Sequence, residues 1–151
     1  MNEFKSVDEI LDFAIEAEQD AVEFYTKLAD TATNPQMKAV FEEFAQEEMA
    51  HKARLLRIKE TGLLESSREV VMDMKVADYI AHVHISPDMT YADALVVAMK
   101  KEKAAFKLYI SLSERTPDPS IKSLFLSLAQ EESKHKLRFE LEYDEYVLRE
   151  N

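Results

Sequence analysis

The residues best suited to chemistry in this chain are two Glu-x-x-His pairs. His51 lies three positions after Glu48, and His135 lies three positions after Glu132. Residues three apart share one face of a helix, so each Glu and its His can converge on a single ion. A carboxylate together with an imidazole suits iron or manganese, and zinc can compete for the same ligands. The two pairs therefore predict a metal site.

The two pairs belong to an internal repeat with an offset of 84 residues (135 − 51 = 84), which also carries Glu18 onto Glu102. Each copy thus supplies one Glu from a first helix and a Glu/His pair from a second. Four Glu and two His that converge in a four-helix bundle form the ligand set of a carboxylate-bridged di-metal site. The predicted metal ligands are Glu18, Glu48, His51, Glu102, Glu132 and His135.

A solvated, charged helix surface is the alternative explanation for a single Glu-x-x-His pair. Two pairs in register argue against it, and so do the surroundings of the two earlier Glu. Carboxylates buried among apolar residues would be very costly, whereas metal-bound carboxylates are compensated. The residues at helical spacing from Glu18 and Glu102 are mostly apolar: Ala14, Ala17 and Ala21 for the first, and Ala98, Met99, Ala105 and Phe106 for the second.

The Glu that precedes each pair is an alternative ligand. Glu47 and Glu131 lie four residues before a His, but each is turned about 100° around the helix from the Glu that follows it. Both members of a Glu-Glu pair cannot point equally inward. Ligation is therefore assigned to Glu48 and Glu132, and a solvated charge or an ion pair is expected for the other two.

Tyr25 and Tyr109 are the candidate catalytic residues outside the ligand set. The same offset relates them, and each follows a ligand Glu by seven residues, which places it two turns further along the same helical face. Either hydroxyl can hydrogen-bond a ligand carboxylate, or the phenol can take part in redox chemistry. The alternative, which the sequence supports equally well, is that each Tyr is a core aromatic residue whose hydroxyl forms a hydrogen bond elsewhere.

Composition predicts one globular, all-α domain over residues 1–151. The chain has 46% hydrophobic and 32% charged residues, and its length suffices to bury a sizeable core. One Gly and four Pro leave few places for turns. The elements must therefore be long, and their richness in Ala, Leu, Glu and Lys predicts helices.

Charge and cysteine content exclude several classes of function. The net charge of −11 argues against nucleic acid and anionic membrane surfaces as partners. The absence of Cys excludes disulfides, thiolate catalysis and iron–sulfur clusters. The N-terminal sequence does not resemble a signal peptide, and no apolar run approaches membrane-spanning length. A cytoplasmic location is expected.

Four helices are predicted to position the ligands. Asn34 and Asp118 each precede a Pro, and a capping residue followed by Pro at the first helical position begins a helix. Capping boxes at Ser6 and Thr90 are predicted to begin the other two helices. Gly62 is predicted to end the second helix. The predicted helices run from 6 to about 32, from 35 to about 61, from 90 onward, and from 119 almost to 149.

A long crossover is predicted between the two hairpins. Residues 63–89 are too many for a tight turn and would allow the hairpins to pack as pseudo-twofold mates in a four-helix bundle. A short helix is expected at residues 76–80. His82 and His84 match nothing in the repeat and are expected at the surface.

Over residues 7–145 or so, the chain resembles the rubrerythrin-like branch of the ferritin-like superfamily. The resemblance implies a ferritin-like four-helix bundle around a di-iron centre, commonly assembled as a homodimer. It also implies that the iron reacts with hydrogen peroxide or dioxygen, with electrons supplied by a rubredoxin-like protein. The residues that carry it are Glu18 with Tyr25, Glu48-x-x-His51, Glu102 with Tyr109, and Glu132-x-x-His135.

The chain departs from the family pattern in two respects. Rubrerythrins proper carry a rubredoxin domain whose iron is held by four Cys, whereas this sequence has no Cys. An external electron donor is therefore expected. Typical rubrerythrins also have an extra Glu three residues beyond the ligand Glu of the third helix. Here that position is Ala105, matched by Ala21 on the first helix, which leaves a six-residue set closer to the ferroxidase centres of bacterioferritins.

The expected function is a non-haem di-iron oxidoreductase that reduces hydrogen peroxide, or dioxygen, with electrons from a separate donor protein. One alternative is ferroxidase-type iron oxidation with iron handling or storage. The other is a non-enzymatic binding module in which metal only staples the helices together, and there zinc would serve as well as iron. The remaining expected partner is a second copy of the chain in a homodimer.

Overall fold

The computed structural model describes residues 7–32, 34–61 and 90–150. The helices, in chain order, are α1 (Val7–Thr31), α2 (Pro35–Thr61), α3 (Tyr91–Arg115) and α4 (Pro119–Glu150). Their bounds agree with the sequence prediction to within one or two residues. The predictions for Ser6, Gly62, residues 76–80, His82 and His84 lie outside the described residues.

Two helical hairpins make up the described part of the chain. α1 packs against α2 and α3 packs against α4, and each pair belongs to its own compact unit. The all-α fold class, with two hairpins joined by a long connection, is confirmed. In the ranges that the structure describes, no helix combines the length and the apolar character needed to cross a membrane.

Polar caps fix the starts of three helices as predicted. Asn34 Oδ1 accepts hydrogen bonds from the backbone N–H groups of Gln36 and Met37 at 2.8 and 3.4 Å. Asp118 Oδ1 likewise accepts hydrogen bonds from the backbone N–H groups of the second and third residues of α4, at 2.8 and 3.2 Å. Thr90 and Asp93 form a reciprocal capping box at the start of α3. These bonds satisfy backbone donors that have no partner within the helix.

In the first hairpin, two polar contacts set the antiparallel register. Asp12, early in α1, pairs with Lys59 near the end of α2. Two turns of each helix further inward, Lys52 Nζ donates a hydrogen bond to Gln19 Oε1 at 2.8 Å. This second contact lies beside Glu18 on α1, so the register that it fixes also sets which turn of α2 faces that carboxylate.

An aromatic cluster closes the other end of the first hairpin. The ring of Tyr25 stacks on Phe41, with centroids 6.5 Å apart and planes inclined by 6°, and meets the edge of Phe44 at 6.0 Å. The second hairpin repeats the stacked pair with Tyr109 and Phe125, at 6.3 Å and 16°. The repeat seen in the sequence is therefore also a repeat of packing.

Two apolar residues predicted to surround the ligand Glu are not buried. Ala17 is exposed, because it is turned about 100° around α1 from Glu18. Phe106 is 36% exposed, because it lies four residues after Glu102, at the edge of the buried face of α3. Ala14 and Ala21 are buried as predicted. The buried faces of α1 and α3 are thus narrower than the sequence alone suggests.

Candidate metal centre

Three polar side chains meet in the interior of the first hairpin: Glu18 from α1, with Glu48 and His51 from α2. They are 2%, 1% and 1% exposed, respectively. His51 Nδ1 lies 3.3 Å from Glu48 Oε1 and 3.7 Å from Glu18 Oε2. One oxygen of each carboxylate and one nitrogen of the imidazole all lie within 4.8 Å of one another. Three donor atoms at these separations can share one metal ion.

The second hairpin contains the same arrangement. Glu102 on α3 is 1% exposed, and Glu132 and His135 on α4 are 1% and 4% exposed. His135 Nδ1 lies 3.5 Å from Glu102 Oε1. One donor atom from each of the three residues lies within 4.8 Å of the other two. Each hairpin therefore presents a buried cluster of two carboxylates and one imidazole, and these six residues are the ones predicted from the repeat.

The helical geometry explains why these three residues meet in each hairpin. Glu48 and His51 are separated by nearly one turn, so both side chains point towards the neighbouring helix. The antiparallel register brings Glu18 opposite that turn, and the contact between Gln19 and Lys52 holds it there. A shift of one residue along either helix would rotate the carboxylate by about 100°, away from the imidazole.

Burial and the neighbouring charges shift the pKa values of Glu18 and His51 in the first cluster. Burial raises the pKa of the Glu18 carboxyl from 4.5 to about 8, and the nearby Glu48 carboxylate adds to the rise. Burial alone would lower the pKa of His51. Hydrogen bonding and attraction to Glu18 and Glu48 outweigh it, and raise that pKa from 6.5 to about 10. With no metal bound, burial therefore favours the neutral form of Glu18, and the neighbouring carboxylates favour the protonated form of His51.

The donor set fits a metal ion. A cation would neutralise carboxylates that burial otherwise makes costly, and the imidazole would bind it in its neutral form. Carboxylate oxygen and imidazole nitrogen are suitable for iron, manganese and zinc alike. Soft thiolate ligands are absent because the sequence has no Cys. The two clusters are thus buried sites able to hold metal, and the geometry leaves the identity of the metal open.

The adjacent Glu residues are placed as the assignment expects. Glu47 and Glu131 are half-buried, whereas Glu48 and Glu132 are each 1% exposed. The difference follows from the rotation of about 100° between neighbouring residues on a helix. The burial favours Glu48 and Glu132 as ligands, and ligation itself remains a prediction.

Tyr25 and Tyr109 both lie in the hydrophobic core. They are 0% and 1% exposed, and each ring stacks on a Phe of the neighbouring helix. This packing agrees with the core-aromatic alternative and is also compatible with a hydroxyl that serves the site. A catalytic role for either phenol therefore remains a prediction.

Replacing both tyrosines by phenylalanine tests that role. In Tyr25→Phe and Tyr109→Phe we expect the metal content to be unchanged, because the stacked rings remain in place. If the hydroxyls tune the ligand carboxylates, peroxide-dependent oxidation of bound iron should slow by about tenfold, the lower end of the effect of losing a hydrogen-bond partner of a metal ligand. The rate can be measured by stopped-flow absorbance, and an unchanged rate would leave both residues with a packing role.

The structure also places a buried carboxylate that the repeat did not predict. Glu142 on α4 is 8% exposed, and its Oε1 accepts a hydrogen bond from the hydroxyl of Tyr91 at 3.2 Å. The ring of Tyr91 meets the edge of Tyr146 at 5.2 Å. The residue that matches Glu142 in the first repeat is Ile58, so a comparison of the two repeats does not identify Glu142. Its spacing of seven residues from His135 was the available signal.

Comparison with known proteins agrees with the geometry. The family model for rubrerythrin matches residues 9–143. Searches of curated proteins and of solved structures found no significant match. The matched range includes both buried clusters, all of α2 and α3, and most of α1 and α4. The resemblance inferred from the repeated ligands and the predicted ferritin-like, all-α fold class are therefore confirmed, and the chain belongs to the rubrerythrin family.

Proposed function

We propose that this protein is a di-iron oxidoreductase that reduces hydrogen peroxide with electrons from a separate donor protein. The observation that carries the proposal is the pair of buried clusters, each with two carboxylates and one imidazole within 4.8 Å. Membership of the rubrerythrin family supports an oxidoreductase that uses a di-iron site.

In this proposal the two clusters form one di-metal site. The sequence repeat supports it, because two copies of one hairpin supply equivalent ligand sets. Charge supports it as well, since four carboxylates would balance the charge of two divalent ions in a buried place. The ligands are the six residues Glu18, Glu48, His51, Glu102, Glu132 and His135.

The residues of the chain then have separate tasks. The carboxylates would hold the metal and adapt to its charge, because a carboxylate can bind through one oxygen or two. The imidazoles of His51 and His135 add a neutral donor each. Burial of all six residues excludes water, which strengthens every electrostatic interaction inside the site. Two ferrous ions held by these six residues would supply one electron each, which is what the reduction of hydrogen peroxide with two protons to two molecules of water requires.

Rapid mixing tests the proposed reaction. The anaerobic, Fe(II)-loaded protein is mixed with limiting hydrogen peroxide and, separately, with dioxygen, and the absorbance of oxidised iron is followed. We expect oxidation by peroxide to be at least about tenfold faster. Equal or faster oxidation by dioxygen would contradict peroxide reduction, and no oxidation by either would show that metal serves only to hold the helices together.

Ferroxidase-type iron handling is the second candidate function. The observation that favours it is Ala105, with Ala21 at the matching position, where typical rubrerythrins carry an additional Glu on the third helix. This candidate predicts that each site oxidises many equivalents of added Fe(II) and that the iron is stored or passed on. Iron uptake that stops once the site is filled would exclude it.

A further inference from the structure

A hydrogen bond between helices supports the ligand cluster of the first hairpin. Lys52 Nζ donates to Gln19 Oε1 at 2.8 Å, and both side chains are half-buried. Gln19 directly follows the ligand Glu18 on α1, and Lys52 directly follows the ligand His51 on α2. The bond therefore joins the two helices at the positions next to the ligands that must meet.

The same bond cannot form in the second hairpin. The repeat offset places Lys103 at the position of Gln19, and Lys136 at the position of Lys52. Two ammonium groups have only donors, so they repel each other and cannot share a hydrogen bond. Lys136 pairs instead with Glu140 of its own helix, at 3.0 Å. The ligands of the second hairpin thus lack the neighbouring hydrogen bond that supports those of the first.

The two hairpins do not differ in this way at their ends. Where α1 begins and α2 ends, Asp12 pairs with Lys59. Where α3 begins and α4 ends, the Tyr91 hydroxyl donates a hydrogen bond to Glu142 Oε1 at 3.2 Å. Each hairpin therefore has a polar contact between its helices at this end, and the difference lies at the turns that carry the ligands.

The charges that flank the ligand carboxylate of the first helix in each hairpin are also opposite. Within two positions of Glu18 are the exposed carboxylates of Glu16 and Asp20. Within two positions of Glu102, its counterpart on α3, are three basic residues: Lys100, Lys101 and Lys103. A divalent cation is attracted by the first set and repelled by the second. Salt screens such charges over about 10 Å at 0.1 M, so their effect is largest at low ionic strength.

We propose that the two hairpins bind metal with unequal affinity, the first hairpin taking the first ion and the second hairpin the second, weaker one. The inference rests on the six-ligand site of the proposed function. Gln19 and Lys52 act in it as positioning residues, because they hold Glu18 close to His51 before the ion arrives. Residues that support metal ligands from outside typically change metal affinity by about 10- to 100-fold.

Unequal affinity would make activity depend on the supply of iron. At limiting Fe(II) the chain would hold one ion, in the first hairpin. The proposed reduction of peroxide needs two electrons, and one ferrous ion supplies only one of them. The concentration of Fe(II) that fills the second hairpin would therefore set the point at which the protein becomes active.

Zinc titration of the full-length, metal-free protein tests the order of binding. Calorimetry should resolve two dissociation constants at least about tenfold apart. With one equivalent of Zn(II) per chain, NMR should show the ring nitrogens of His51 in the bound form and those of His135 still largely in the free form. Equal occupancy of both, or His135 first, would overturn the inference and leave the proposed function standing. Failure of peroxide to oxidise the iron-loaded protein would remove the proposed function and leave these zinc affinities unchanged.

Lysine substitutions test the cause. Lys52→Met removes the bond to Gln19 and should weaken the first ion by about tenfold. Lys103→Gln gives α3 an acceptor opposite Lys136 and should tighten the second ion by a similar factor. Unchanged affinities in both variants would overturn the assignment of positioning roles.

Two matched controls accompany these variants. Lys59→Met removes the contact at the end of the first hairpin and should leave both affinities unchanged. Lys100→Gln removes the same charge as Lys103→Gln but places no acceptor opposite Lys136, so its effect should be smaller and should vanish in about 0.5 M salt. Equal effects of these two substitutions at that salt concentration would overturn the role given to the hydrogen bond. Circular dichroism checks that each variant is folded.

Discussion

The Glu48→Gln, Glu132→Gln double variant is expected to lose its high-affinity metal. Both side chains are 1% exposed and lie beside a His within their own hairpins. Glutamine keeps the size of the side chain but removes the negative charge, so a divalent ion would be left with too few anionic ligands. We expect the affinity for iron or zinc to fall by more than about 100-fold, and peroxide-dependent oxidation to disappear. Metal content after dialysis gives the first readout.

The matched control is Glu47→Gln with Glu131→Gln. These residues directly precede the two replaced ones but are half-buried, turned about 100° away around the helix. The control should retain its metal and its activity. Equal loss of metal in both double variants would show that the ligand assignment is wrong. Retention of metal in the first variant, with the fold intact, would remove Glu48 and Glu132 from the site.

Removal of metal should make the stability of the protein fall as the pH rises. In the metal-free chain the pKa of Glu18 is raised from an ordinary value of 4.5 to about 8. The stabilising contribution of such a group is complete below pH 4.5 and is lost as the pH rises through 8. The pKa of His51 is raised from 6.5 to about 10, so its contribution is complete below pH 6.5 and is lost on the way to pH 10. Both residues therefore act in the same direction.

Urea unfolding between pH 5 and 9 measures this effect. With a chelator present, the free energy of unfolding should fall by on the order of a few kcal/mol across the range. Stoichiometric Zn(II) should oppose the fall, because metal replaces the protons, so the difference between loaded and metal-free protein should widen as the pH rises. Glu18→Gln should reduce the pH dependence of the metal-free protein. A metal-free protein that is more stable at pH 8 than at pH 5.5 would contradict the account of the cluster.

Much of the fold followed from local rules. The caps at Asn34 and Asp118 each precede a Pro, and the structure begins a helix there in both cases. The capping box at Thr90 was equally explicit. These predictions succeeded because capping depends on residues within one turn. The placement of the Glu and His clusters was predictable for a related reason, since a duplicated hairpin repeats its interior as well as its sequence.

Other features depend on neighbours that the sequence does not identify. Apolar residues occur on both faces of α4, so periodicity alone could not show that Leu141 is exposed and Phe139 is buried. Glu142 was hidden because the first repeat has Ile58 in its place. The hydrogen bond from Tyr91 to Glu142 joins residues 51 positions apart, and no local pattern predicts such a partner.

The central claim, that the two buried clusters act as one di-iron site, is tested most directly by counting iron and measuring its magnetic coupling. The protein is loaded with iron-57 and oxidised once, and iron per chain is determined alongside its Mössbauer spectrum in an applied field. Two iron ions per chain with a coupled, diamagnetic ground state are the predicted result. Two magnetically isolated ferric ions, or one iron per chain, would contradict the claim.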